Sequence, residues 1–519
     1  MILPSCPSES QVFDVIIVGA GAVGLTMAIK LSQSGKNVCV VETGSDALAA
    51  DYQNFNSGQQ TGPREHLGLT RGRYKGLGGT TRLWGGQLMP FSPADFLPDP
   101  ASNKPGWPFT HDEIAPWIEE ALGMLGIAHD AEALEVSWQE KTGHTLEFGS
   151  GLQITPSVWM RRPDFNHHFD AAIASNDGPQ ILMGHEAIGV VSDDTSGRIS
   201  GVRLRDHTGG KHTLSAKSTL LACGTLEISR LLLRAKAQLP QTPLGKNGHV
   251  GKWFIDHLHG VAGTIHPQNR KVFGDMFDTL YAREHKITPK IRLSDATMKA
   301  NALSNCAMTI NARLGAGEAI AEMKGLAKRI GNGPTGALQD LRQTAQSARI
   351  LAPLAWRYLT SRRSGKFLSG DASLGVEFEQ VPSIGSYIAL QEDVHPERAD
   401  IAVHWSVNGT EMAAVAHCAK ATKAACEGRG LGLIELDPLV EAADPAFFDK
   451  CTDSSHQAGG ARMAASAEGG VVDSDCQVFG MPDLYVAGAA TFPSGSFANP
   501  TLTAIATGLR LADHLSGRG

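Results

Sequence analysis

The chain has 519 residues, enough for about two or three domains with sizeable cores. Its net charge of −7 excludes a nucleic-acid binder of the usual basic kind, and no run of about 18 apolar residues marks a membrane-spanning helix. Its 58 glycines follow no G-X-Y period, so they mark tight turns and close backbone approaches rather than collagen or disorder.

The segment Met1 to Val12 is short and polar, with no basic n-region, and leads straight into a strand; no secretory leader is expected. Asp14–Val18 is an apolar run of strand length. Gly19-Ala-Gly21-Ala-Val-Gly24 follows, then the helical stretch Leu25–Ser34, a break at Gly35-Lys-Asn37, and the buried strand Val38–Val41 closed by Glu42. This is a βαβ unit of dinucleotide type. The first glycine allows the turn, the second admits a pyrophosphate, and the third lets helix and strand pack closely. The helix N-terminus faces the phosphates. Glu42 stands where a carboxylate accepts from a ribose 2′-OH, which favours FAD or NAD over NADP. A second glycine-rich loop, Gly76 to Gln87, contains Gly78, Gly79, Thr80, Trp84, Gly85 and Gly86. It is read as a wrap around a large planar ligand, against the plainer reading of a surface loop.

Helices are predicted from Asp112 to Leu122 and from Asn166 to Ala174. A small meander follows (181–183, 187–191 and 201–205), then the strand Ser218–Ala222, Gly224, and a helix from Leu226 to Ala235, where the chain rejoins the cofactor domain. Strand-like alternation at 290–293, 307–311, 376–380, 387–390 and 401–405 predicts an antiparallel sheet in a second domain. Residues 316–364 read as a helical insert. Its basic segment Ala348–Arg363, with a kink expected at Pro353, packs on its own domain or meets a partner or membrane surface. The expected division is 12–240 with 452–517 for the cofactor and 241–451 for the substrate.

Two C-terminal segments carry the chemistry. One is Ser454-Ser-His456-Gln-Ala-Gly-Gly460-Ala-Arg462-Met463. The other is Pro493 to Ala504, which enters a final helix, with the strand Leu484–Gly488 between them. Pro500 is expected at N1 of that helix and Asn499 at its N-cap. The positive helix end would then favour an anion forming before it. The eight cysteines are scattered without a C-x-x-C pair, as for free thiols in a reducing compartment, and a cytoplasmic location is expected.

Taken together, these motifs resemble the glucose-methanol-choline (GMC) oxidoreductases. They run in family order from Gly19-x-Gly21-x-x-Gly24 and Glu42 through the loop 76–86 and Ala222-x-Gly224 with Glu227 and Arg230. Gly251 to His257, Glu379-Gln380-x-Pro382, His456-x-x-Gly459-Gly460 and Asn499-Pro500-Thr501 complete the set. Within the family, the segment Gly495 to Ala504 looks most like the pyranose-oxidase branch that oxidises sugars. The resemblance implies an α/β fold: a Rossmann-like FAD-binding domain with an antiparallel-sheet α+β substrate domain, the architecture shared with p-hydroxybenzoate hydroxylase.

By the same resemblance, FAD contacts are expected at Gly19, Gly21, Gly24, Glu42, Gly78, Gly79, Thr80, Trp84, Gly85 and Gly86. Further contacts are expected at Ile188, whose backbone would meet adenine, and at Ala222, Gly488, Ala489, Asn499, Pro500 and Thr501. Leu83 occupies the position of the histidine that anchors FAD covalently in some relatives, so non-covalent FAD is expected. His456 is implied as the catalytic base and Asn499 as its partner. The implied reaction is oxidation of an alcohol, chiefly a secondary hydroxyl of a sugar or glycoside, with oxygen or another acceptor taking the electrons. A dehydrogenase of polyols, aromatic alcohols or natural-product sugars that serves a redox partner, or a non-redox lyase on the same scaffold, are the alternatives. No metal and no nucleic acid are expected, and self-association is left open.

Overall fold

The computed structural model describes residues 1–44, 53, 56–99, 104–127, 131–149, 151–192, 198–282, 285–312, 356–364, 367, 370–392, 394–396 and 399–517. The chain runs β1 (Val12–Val18), α1 (Ala22–Gln33), β2 (Val38–Val41), β3 (Leu152–Trp159), β4 (Gln180–Leu182), β5 (His185–Ser192), β6 (Ile199–Asp206) and β7 (Lys211–Leu221). It continues with α2 (Thr225–Gln238), β8 (Leu258–Pro267), β9 (His285–Leu293), β10 (Cys306–Ala312), β11 (Ala372–Phe378), α3 (Met412–Gly428), β12 (Gly432–Leu436), β13 (Leu484–Val486) and α4 (Thr501–Ser516), with shorter elements between. Among the described residues, no helix is long and apolar enough to cross a membrane.

The first sheet has the order β4-β2-β1-β7-β6-β5, with β13 also on β7. Strands β4, β2, β1, β7 and β13 are parallel, and β7, β6 and β5 form the antiparallel meander. β2 is buried at every position, as a strand covered on both faces must be. The register pairs Val18 with Leu221 and Leu221 with Val486, so the carboxyl ends of β1, β7 and β13 lie level. That edge is where open α/β sheets take their ligands. The helix α4 lies along α1. Gly508 permits this, since a Cβ there would come within 2.9 Å of Val23. Lys30 reinforces the contact by pairing with both Glu120 and Asp513 at 2.8 Å.

The second sheet is antiparallel, in the order β12-β8-β11-β10-β9-β3 followed by the short strand Gln87–Leu88. Its last two members come from before residue 240, so the substrate-side sheet borrows from the first half of the chain. The strands Tyr387–Leu390 and Ile401–His404 do not join it, contrary to expectation. They form a separate small sheet with Gln59–Gln60. Tyr387, Ala389 and Leu390 are only partly buried, and their strand packs against α2. The stretch expected as one helix from Asn166 to Ala174 is two short ones, Phe165–His168 and Asp170–Ala174. Of the expected helical insert 316–364, residues 316–355, including the kink expected at Pro353, lie outside the described residues, and 356–361 is helical.

Candidate active site

Three glycines after β1 do three different jobs. Gly19 has φ +106°, and a Cβ there would sit 2.6 Å from the Cα of Cys223. One on Gly24 would lie 2.0 Å from the Gly19 carbonyl oxygen, which is the close strand–helix contact. One on Gly21 would meet no protein atom within 4 Å. Gly21 is also the N-cap of α1 and offers no capping side chain, so the first N–H groups of the helix stay available. At the end of β2, Glu42 is buried. Its Oε2 accepts from the Ala20 N–H at 2.9 Å and its Oε1 from the Gly44 N–H at 3.0 Å. Each oxygen keeps a lone pair for a further donor. Burial raises the Glu42 carboxyl above its ordinary value, against these bonds and the Lys75 charge.

The second loop docks on the first. The Gly78 N–H donates to the Ala20 carbonyl at 3.0 Å, and a Cβ on Gly79 would come within 2.8 Å of the Gly21 Cα. Thr81 Oγ1 closes the turn on the Gly78 carbonyl at 2.6 Å. Trp84 donates its indole N–H to the Pro163 carbonyl at 2.7 Å and stands edge-on to Phe165, which fixes the far end of the loop.

These segments line one cavity of about 690 Å³ that runs from Glu42 to His456. That volume lies within the ordinary range for ligand sites. Gly19, Gly21, Glu42, Gly79, Thr80 and Trp84 line it. Gly85 and Ala222 line it too, as do Gly488, Ala489, Pro500 and Thr501, and so do His456 and Asn499. Four expected contact residues stand behind the wall. Gly24 and Gly78 pack loop on helix. Gly86 faces Pro163, where a Cβ would meet the ring at 2.7 Å. Ile188 is buried within β5, and His185, Glu186 and Ala187 form the cavity wall just before it. Uncapped helix N–H groups, a glycine with free space above it and a buried carboxyl at the strand end suit the pyrophosphate and ribose of FAD.

At the opposite end, His456 is half-buried. The glycines after it are obligatory: Gly459 and Gly460 have φ +77° and +82°. A Cβ on Gly459 would lie 2.0 Å from the Trp253 carbonyl oxygen. Gly459 and Ala461 donate to the carbonyls of Ala489 and Ala490, so the motif is stitched to the end of β13. The backbone N–H of His456 donates to Asp256 Oδ1 at 2.8 Å, and Asp256 Oδ2 pairs with His66 Nε2 at 2.9 Å. His456 Nδ1 lies 3.1 Å from His257 Nδ1. Burial pushes the His456 imidazole below its ordinary value. The Asp256 and Glu377 carboxylates pull it back, and Lys290 and His259 oppose them.

Asn499 is not the helix cap. The helix begins at Thr501 with Pro500, already in the αR region, at the cap position, and no side chain caps it. Proline holds the residue before it extended. Its first intrahelical acceptor is the Pro500 carbonyl, which takes the Ala504 N–H at 2.8 Å. The Asn499 carboxamide has no protein partner among the described residues and lines the same cavity as His456.

Two groups of lining residues carried no assigned role in the sequence. Glu227 in the first turn of α2 pairs with Arg73 at 3.1 Å, Lys75 at 3.3 Å and Arg230 at 3.0 Å. Burial alone would raise its carboxyl; the three cations hold it far below the ordinary range. Glu377 faces the cavity beside His259 and forms a close ion pair with Lys290, which is only 3% exposed. Against burial, Lys290 keeps Glu377 below the usual carboxylate range, so it is ionised at neutral pH. The alternation that predicted the strands around 290 and 376 does put Lys290 and Glu377 on strands, but nothing in it pairs them.

The chain resembles known proteins over most of its length. The sequence model of the family described as FAD dependent oxidoreductase matches residues 14–292, and that of GMC oxidoreductase matches residues 382–508. A 2-methyl-1,2-propanediol dehydrogenase of Mycolicibacterium austroafricanum is 20% identical over 97% of this chain and 95% of its own. A paromamine 6'-oxidase of Streptomyces fradiae is 25% identical over 47% of this chain and 53% of its own. Among solved structures, formate oxidase of Aspergillus oryzae superposes with a TM-score of 0.60 at 18% identity, covering 99% of both chains. Pyridoxine 4-oxidase superposes with a TM-score of 0.58 at 16% identity, covering 97% of this chain and 99% of that one.

Proposed function

The chain belongs to the FAD-dependent oxidoreductases, as an enzyme of the GMC family acting on CH–OH groups, and from that premise we propose that it oxidises a secondary hydroxyl of a sugar or glycoside to a ketone. The observation that carries this reading is the opening of His456 and Asn499 into the one cavity whose other end is the Gly21–Glu42 cradle. Bound FAD supplies the hydride acceptor, at flavin N5. Gly21, Glu42, Gly79, Thr80 and Ala489 are the residues proposed to hold it, without a covalent link, since no histidine lies between 76 and 86.

His456, neutral at physiological pH, takes the hydroxyl proton as the C–H bond breaks. Its Nε2 has no protein partner among the described residues and is the nitrogen left for that proton, Nδ1 being engaged with His257. The Asn499 carboxamide, unspent on capping, orients the hydroxyl and donates to its oxygen as negative charge develops. Glu377 presents a carboxylate neutralised from behind by Lys290, which suits a neighbouring hydroxyl of a neutral polyol better than a cationic amine. Trp84, Trp159 and Gln87 complete the substrate end.

The electron acceptor is molecular oxygen or a redox partner, and hydrogen peroxide formation separates the two. The test of the whole reading is anaerobic bleaching of the purified yellow protein by a panel of sugars, glycosides and simple polyols. A secondary-alcohol sugar that bleaches the flavin and yields a keto sugar is the expected result. A panel in which nothing bleaches, or only primary alcohols do, overturns it. Acid precipitation that leaves the colour in the supernatant is expected for non-covalent FAD.

A further inference from the structure

The contact between His456 and His257 is between like atoms, Nδ1 to Nδ1 at 3.1 Å, with the two rings edge to face at 72°. Two lone pairs repel at that distance, and so do two N–H groups. One proton therefore lies between them, and its owner decides what His456 can do. We propose that His257 is the residue that sets the tautomer of His456: its Nδ1 accepts the Nδ1–H of His456, so that Nε2 of His456 carries the free lone pair. This rests on the reading of His456 as the base.

The surroundings decide the direction. His257 is 5% exposed, and its side chain is not part of the cavity wall. Burial, His456 and Lys290 all hold it well below the ordinary imidazole value, so it stays neutral. His456 is the ring on which the carboxylates of Asp256 and Glu377 act, with Lys290 and His259 as the opposing charges. A proton arriving at the pair is therefore held on His456. Once His456 is doubly protonated, its Nδ1–H has to meet a lone pair on His257. An arrangement that is the same before and after needs no proton to move within the pair.

The step balances simply. The alcohol C–H bond breaks, and its electron pair leaves with the hydride to bound FAD. The O–H bond breaks, the proton goes to Nε2 of His456, and the carbonyl forms. His257 loses and gains nothing. In the opposite tautomer, Nε2 of His456 would already carry hydrogen and accept no proton. His257 is thus a positioning residue, acting through His456 and touching no reacting atom.

Holoenzyme labelled with 15N-histidine reads the tautomer with no substrate present, the His456 signals being assigned by their loss in His456→Ala. At about pH 8, where an ordinary imidazole is neutral, the expected spectrum shows Nδ1 of His456 protonated and Nε2 bare. The reverse pattern overturns the proposal. His257→Leu should mix the two tautomers and slow anaerobic bleaching by the fastest-acting sugar of the panel about 10²-fold. His257→Asn, whose amide oxygen offers an acceptor near the same place, should recover most of that rate. Equal rates in the two variants would also overturn it. If no alcohol bleaches the flavin, the reading of the function fails while the tautomer measurement still decides this inference. Should His257→Leu lose its FAD, the wild-type spectrum and His257→Asn carry the test.

Discussion

Asp256 holds His456 by its backbone and not by its ring. The carboxylate spans the His456 N–H at 2.8 Å and His66 Nε2 at 2.9 Å, and neither Asp256 nor His66 has more than 1% of its surface exposed. The position of His456 is thereby independent of whether its imidazole carries one proton or two. Asp256→Ala leaves an unpaired buried imidazole and a loose His456 segment. A loss of about 2–4 kcal/mol is expected, with Asp256→Asn losing less because one acceptor oxygen remains. Chemical denaturation of the three proteins measures this; an alanine variant as stable as wild type would show that the pin carries no load.

His456→Ala should slow anaerobic flavin reduction by about 10²–10⁴-fold, the usual contribution of a general base. Asn499→Ala should slow it by about 10²–10³-fold. Because Asn499 caps nothing, its loss should spare stability, whereas removing a true N-cap costs about 1 kcal/mol. Slow flavin reduction with an undiminished melting transition is the signature sought in Asn499→Ala, and a marked drop in Tm would return Asn499 to a capping role.

The pH dependence follows from the His456 surroundings. A base at His456 would work only when neutral, so activity should be lost as pH falls through its pKa. Burial sets that value below the ordinary one of about 6.5. The acid limb of kcat/KM should lie below that pH. Glu377→Gln removes one of the two carboxylates that pull the value up, so the limb should move to still lower pH in the variant. A limb that moves upward contradicts the assignment.

The glycines of the first loop separate folding from binding. Gly24→Ala would drive a methyl to 2.0 Å from the Gly19 oxygen and should fail to fold. Gly21→Ala meets no protein atom within 4 Å, and at φ −82° alanine is unstrained. It should fold with an unchanged far-ultraviolet spectrum and be purified largely colourless. Fluorescence titration of the apoprotein with FAD gives the measure. Wild-type affinity in Gly21→Ala would mean that the pyrophosphate lies elsewhere.

Glu379 gives stability its own pH term. It is buried against Lys104 at 3.4 Å and accepts the Asn305 N–H at 2.9 Å. Asn305 in turn binds Asp95 and Ser496, beneath the loop that carries Asn499. Burial pushes the carboxyl up to about 7, despite the nearby Lys104 charge. The folded chain therefore holds this proton more tightly than the unfolded one. Its contribution is fully present below about pH 4.5 and is lost as pH rises to about 7, a swing of roughly 2–3 kcal/mol. Glu379→Gln lacks the term, so the Tm of the variant should gain on wild type across that interval. Parallel Tm curves would dispose of the idea.

Much of the cofactor half was legible because its rules are local. Gly24 packs on the Gly19 carbonyl and Glu42 accepts from the Ala20 N–H, both inside one βαβ unit, so they leave a fixed spacing in the sequence; the crowding of Gly19 by Cys223 is the long-range exception. His456 with Gly459 and Gly460 was legible through the resemblance, and the left-handed backbone shows why those glycines stand there. What the sequence did not display were pairings across long separations. Asp256 and His456 stand 200 positions apart and His66 a further 190 from Asp256. Gln59–Gln60 has no strand pattern at all, so its sheet with 387–390 and 401–404 could not be foreseen. Asn-Pro at a helix start reads naturally as cap and first residue; here the backbone enters the helix at Pro500 and leaves the asparagine for the cavity.

The last strand of the cofactor sheet, Leu484–Val486, lies in parallel on Lys211–Leu221, and the helix from Thr501 supports α1. The proposed nucleotide cleft thus borrows a wall from residues beyond 480 of this chain. While the ribosome is still translating the middle of the chain, the N-terminal βαβ unit has emerged without that wall, and its apolar face waits for it. Capture of the flavin is therefore expected late in biogenesis, and a nascent chain stalled before residue 484 should emerge colourless however much FAD the surrounding medium holds.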